Sequence, residues 1–209
     1  MGCLGCGCLI LLILALLIAG LIGGVGYVAY SKINSLTSAS PTTIQSYDGG
    51  DDLYHGATQK LTDFNQAVQQ HKAATLHLNA DEINTLIARD PDFKNNNIQV
   101  FVTMTDDVAE IKLSSSLNAL NFSMLKNRYL SGSIKTGLDF DPQNKVLNFL
   151  LKSFQIGNES LPQADLPIFQ SYIDSAFNQA LQKNSTGPNI INQAKSIEIK
   201  NSELVIEVQ

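Results

Sequence analysis

The chain has 209 residues, 14 basic and 19 acidic, for a net charge of −5 with histidine neutral. That balance, with no basic stripe to neutralise phosphates, argues against nucleic acid as a partner. The only cysteines, Cys3, Cys6 and Cys8, all fall in the first eight residues, so the rest of the chain has no disulfide scaffold and no thiolate metal site.

Residues 1–8, MGCLGCGC, form an uncharged tail. Its cysteines read either as small apolar residues at a membrane boundary or as S-acylation sites at Cys3, Cys6 and Cys8. Gly2-Cys3 matches the start of dual-acylated N-termini, although Cys6 stands where N-myristoylation prefers Ser or Thr. From Leu9 to Ala29 there is no charge and no strongly polar side chain. About 21 residues at about 1.5 Å each make roughly 31 Å of helix, the thickness of a bilayer's hydrocarbon core. Residues 9–30 therefore read as a transmembrane anchor, with Tyr27 and Tyr30 at the interface.

A cleaved secretory signal calls for a basic start and a shorter apolar run, a lipoprotein cysteine follows the run, and a pilin-type leader needs glutamate where Leu12 stands. An uncleaved anchor is preferred over all three. Ala15, Ala19 and Gly23 form one row of small residues, and Gly20 with Gly24 forms a GxxxG pair, either of which permits homodimerisation in the membrane. Lys32 is the first charge, and the short neutral tail is the end placed in the cytosol. The large C-terminal part is thereby expected outside the cytoplasm.

Residues 31–50 read as a flexible spacer and 51–209 as an extracytoplasmic α+β domain. Leu53, Ala57, Leu61, Phe64 and Val68 recur in steps of four and three, one face of a helix. A short strand, Thr75–Leu78, leads to Asn79, which can cap a second helix with Glu82 at its third position; Asp90-Pro91 ends that helix. The period then changes to two. Ile98, Val100, Val102 and Met104 turn at Asp106-Asp107 and return as Ala109, Ile111 and Leu113, an antiparallel hairpin. A long strand through Leu130, Ile134, Leu138 and Phe140, with Gly132 and Gly137 as points of bending or bulging, turns at Asp141–Asn144.

The return strand, Lys145–Ile156, has Leu147, Phe149 and Leu151 on one face and Val146, Leu150, Phe154 and Ile156 on the other. A strand apolar on both faces is covered twice, lines a cavity or touches a membrane. A second long helix, Leu166–Leu181, has a broad apolar face, and a hairpin turning at Asn201-Ser202 closes the chain. The predicted fold is a curved antiparallel sheet packed against two long helices behind one membrane span.

His55, His71 and His77 sit on separate elements without metal-ligand spacing, and the sequence has no GxSxG, Walker loop or GxGxxG. The acidic pairs lie at turns, so no catalytic residue, metal or cofactor is predicted. Asn121, Asn158 and Asn184 begin glycosylation sequons, relevant only in a eukaryotic secretory pathway.

One span, the LNADEINTLIARDP helix, the RYLSGSIKTGLDFD meander, the LLKSFQIGNESLP turn and the SIEIKNSELVIEV hairpin together resemble membrane-anchored bacterial envelope proteins of the YpmS-like group. They are more distantly similar to the LmeA-like phospholipid-binding group, with its TULIP-like fold. That resemblance implies a sheet wrapped on helices with an acyl chain of membrane lipid between them, and no catalytic residues. The positions expected to contact lipid are Leu150, Phe154 and Ile156 on the strand and Phe169, Ile173 and Phe177 on the helix. A scaffold or partner-binding module for other membrane proteins is the alternative, and an enzyme with an unseen site is a third reading.

Overall fold

The computed structural model describes residues 37–118, 126–157, 159–183 and 187–209. In chain order the elements are β1 (Thr37–Ser38), α1 (Gly50–Gln69), β2 (Ala74–Asn79), α2 (Ala80–Arg89), α3 (Pro91–Asn95), β3 (Ile98–Thr105), β4 (Val108–Ser116), β5 (Tyr129–Asp141) and β6 (Val146–Ile156). They are followed by β7 (Glu159–Ser160), α4 (Leu166–Lys183), α5 (Gly187–Gln193), β8 (Ala194–Lys200) and β9 (Glu203–Val208).

Local chemistry explains many of the boundaries. Asn79 and Glu82 form a reciprocal capping box at the start of α2, each side chain taking the other's backbone N–H at 2.9 and 3.0 Å. Asp90 caps α3, with Pro91 at its first turn. The closing hairpin turns on Asn201 and Ser202, both at positive φ, the geometry that suits a two-residue loop between right-twisted strands. Asp141 accepts from the N–H groups of Gln143 and Asn144 and from the Asn144 amide, which holds its carboxyl below the usual range.

The fold is α+β and its strands pair antiparallel, but a single sheet on two long helices is not the architecture. There are two sheets. The larger has six strands, ordered β3-β4-β5-β6-β7 with β1 beside β5; the smaller has three, ordered β2-β9-β8. Of the closing hairpin, β9 pairs with β2, Leu76 opposite Ile206 and Leu78 opposite Leu204, so the hairpin does not extend the main sheet. Helical cover is likewise shared among several helices, five among the described residues. None of them is long and apolar enough to cross a membrane. The predicted anchor at 9–30, the cysteine tail, the rows of small residues and the three sequons lie outside the described residues.

The sheets meet at one corner through the turns at Asp106 and Ser202. Ser202 N–H donates to Asp106 O at 3.0 Å and Asp106 N–H to the Ser202 hydroxyl at 3.1 Å, so the two hairpin tips are joined. Between sheets and helices lies one hydrophobic core, to which α1 contributes Ala57, Leu61, Phe64 and Val68. Gly132 is required by close approach, since a Cβ there would sit 2.4 Å from the Gln155 carbonyl oxygen.

Candidate functional site

The region predicted to hold lipid lies between β6 and α4. Pairing with β5 sets Lys135 opposite Ser153 and Thr136 opposite Leu151, so Lys152 is one residue too many and forms a bulge. A bulge resets the alternation of side chains. Leu147, Phe149 and Leu151 before it and Phe154 and Ile156 after it therefore share one face, the core face. Leu150 points away and is 43% exposed. The sequence reading that grouped Leu150 with Phe154 and Ile156 is corrected by this one-residue slip, and the strand is not apolar on both faces.

The other five predicted residues are brought together, buried in the core. The Phe154 and Phe169 rings are 5.4 Å apart, and Phe149 meets Phe177 edge-to-face at 4.9 Å. Ile173 is almost fully buried on the same helical stripe.

A second stripe on α4, one residue further round the helix, was missed by the sequence reading. Gln170, Asp174 and Asn178 are spaced by four, about 6.0 Å of helical rise. Alternate residues of a strand repeat at about 6.6–6.8 Å, so the two elements can run in step. Phe149 N–H donates to Asp174 Oδ1 at 2.8 Å, Leu151 N–H to Gln170 Oε1 at 3.3 Å and Leu147 N–H to Asn178 Oδ1 at 3.4 Å. Asn178 Nδ2 completes the imitation of a strand by donating to Leu147 O at 3.0 Å. The helix thus satisfies the edge of β6 that β5 leaves open. Burial pushes the Asp174 carboxyl above its ordinary value, only partly offset by the Phe149 N–H and by Gln170.

Other edges are treated in the same manner. On β2, Lys60 Nζ donates to His77 O at 3.2 Å and is paired with Glu82 at 2.7 Å. On β3, the buried Asn84 amide spans both groups of one residue, accepting from Val102 N–H at 2.8 Å and donating to Val102 O at 2.7 Å. Cover stops there. Because Val102 faces outward, antiparallel alternation turns the backbone of Ile98, Val100 and Met104 outward as well, and none of the three has a hydrogen-bond partner on that side among the described residues.

Beside that uncovered edge is a half-open cavity of about 270 Å³, bounded by Ile44–Tyr47, by Asn84, Ile87 and Ala88 of α2, and by Phe93, Lys94 and Asn97–Val100. It lies on a different part of the domain from the β6–α4 region. The end of the spacer is held over it: Ile44 N–H donates to Gln99 Oε1 at 3.1 Å, and Arg89 grips Asp48 and Asp51 at 2.9 and 2.7 Å. The Arg89 guanidinium holds the Asp48 carboxyl below its usual range.

Among the described residues no group of three or more His, Cys, Asp or Glu side chains converges as a metal site would require. His77 lies at the surface against Glu203, 3.0 Å away. Comparison with protein-family models, with curated proteins and with solved structures finds no match to this chain.

Proposed function

We propose that the protein is a single-pass, membrane-tethered binding module, non-enzymatic, whose domain stands outside the cytoplasm and acts by contacting a protein partner. One observation carries this reading over the acyl-chain alternative: α4 is hydrogen-bonded along β6. A hydrocarbon chain entering between them would strip those bonds and leave strand N–H groups unpaired in an apolar setting, at about 1–3 kcal/mol each. The interior behind them is already filled by Phe149, Phe154, Phe169 and Phe177. The cavity beside β3, at about 270 Å³, falls just below the roughly 300–1,000 Å³ of small-molecule sites.

Carboxylates at turns and caps, with histidines dispersed at the surface, support a role without catalysis. The apolar run from Leu9 to Ala29 supports the tether. Native mass spectrometry of the full chain, released from mild detergent, tests the reading. The expected spectrum is bare polypeptide. A stoichiometric phospholipid that survives detergent exchange would return the function to lipid binding.

A further inference from the structure

We infer that the cavity beside β3 is a strand-addition site, which takes a short extended segment of a partner protein against the backbone of Ile98 and Val100, with a partner carboxylate at Lys94. The inference rests on the partner-binding reading above and names the surface and the kind of segment it accepts.

The edge of β3 is made of Ile98-Gln99-Val100-Phe101-Val102-Thr103-Met104-Thr105, without charge and without proline. Edges are ordinarily blunted by lysine, proline or a bulge, or covered by other elements. Parts of several edges in this domain are covered: α4 takes β6, Lys60 and Glu82 take β2, and Asn84 takes Val102. The rungs at Ile98 and Val100 have no such cover among the described residues, and they open into the cavity. Asn84 shows where a neighbouring strand runs, since its amide holds the place of that strand's peptide group at Val102. It also stops the added segment there, so the segment pairs with two rungs.

The groove selects what enters. Its floor is Ile87, Phe93 and Val100, which suits one aliphatic side chain of an extended segment. Lys94 is the cation among its lining residues; it is exposed and makes no ion pair among the described residues. Arg89 nearby is already engaged by Asp48 and Asp51. A carboxylate on the partner, as a side chain or a chain terminus, complements Lys94.

The test is residue-resolved amide exchange on the full chain in mild detergent, with a six-residue peptide that alternates threonine and valine and ends in glutamate. In the free protein the Val100 N–H exchanges about tenfold or more faster than Val102 N–H. If the two are equally protected, the edge is already occupied and the inference fails. Added peptide is expected to slow Val100 about tenfold, and Lys94→Glu, at an exposed site, is expected to abolish that effect while Val102 stays protected. No slowing at millimolar peptide, or equal slowing in Lys94→Glu, overturns it. Phosphatidylglycerol vesicles form the control arm. Protection by vesicles and not by peptide makes the groove a lipid contact, an outcome distinct from phospholipid retained in the mass spectrum.

Discussion

Asp174 gives the sharpest test of the pairing between α4 and β6. Phe149 is buried, so its N–H loses its partner when Asp174 is cut to alanine. An unpaired buried N–H costs about 1–3 kcal/mol. With a urea slope of about 2 kcal/mol/M, the midpoint of Asp174→Ala should fall by roughly 1 M. Asp174→Asn keeps an acceptor in the same place, as Asn178 already demonstrates against Leu147.

The asparagine variant also removes a titrating group, and the sign of that effect is fixed. A carboxyl whose folded pKa is raised stabilises the fold below its unfolded value of 3.8, and that contribution is lost as pH rises through the folded value. Stability of the natural protein relative to Asp174→Asn should therefore fall as pH rises above 3.8. Urea titrations of the full chain in mild detergent, followed by circular dichroism across that range, measure both effects. If Asp174→Ala is as stable as the natural protein, or Asp174→Asn is as weak as Asp174→Ala, α4 does not complete the edge.

Phe154 and Leu150, which the sequence assigns to one face, should part company. Phe154→Ala is expected to lose about 3–5 kcal/mol, and Leu150→Asp to stay within about 0.5 kcal/mol, in the same urea assay. Equal losses would deny the bulge at Lys152. Gly132→Ala should cost about 1–3 kcal/mol, because its Cβ meets a backbone oxygen that cannot turn aside; an unshifted melting midpoint would show that β6 can retreat. Asn84→Ala should release the Val102 N–H to fast exchange while the β3–β4 ladder stays protected. Protease added to intact cells should remove the domain if it stands outside the cytoplasm, and protection until lysis would reverse the proposed topology.

Periodicity made the local elements readable. The alternation from Ile98 to Leu113 reports a hairpin, and Asn79 with Glu82 reports a helix start, because both signals are carried within a few residues. The second sheet was beyond that reach. The partner of Leu76 is Ile206, far along the chain, and nothing in either strand's pattern names the other.

The bulge was legible in principle. Lys152-Ser153 places two polar residues between Leu151 and Phe154, which on an unbroken strand would send the apolar set to opposite faces. Reading through that pair produced a strand apolar on both sides, and with it much of the case for a lipid cavity. The Gln170, Asp174 and Asn178 stripe was also visible as a spacing. What it pairs with depends on where the helix comes to rest, which local pattern does not encode.

The two-residue pairing of β1 with β5 has a mechanical consequence. Thr37 and Ser38 lie opposite Leu130 and Tyr129, and Arg128 donates to Thr37 O at 2.8 Å. While that clasp holds, residues 39–43 are slack between it and the Ile44–Gln99 bond, and they add nothing to the reach of the chain that precedes Thr37. Two rungs are the least of any strand joining β5. If they part, those five residues pay out at about 3.3–3.6 Å each, about 17–18 Å of chain, before the Ile44–Gln99 bond and the Arg89 grip on Asp48 are loaded. Under the proposed membrane tether, a lateral pull on the domain would be absorbed first at β1, with the core and the β3 edge still intact.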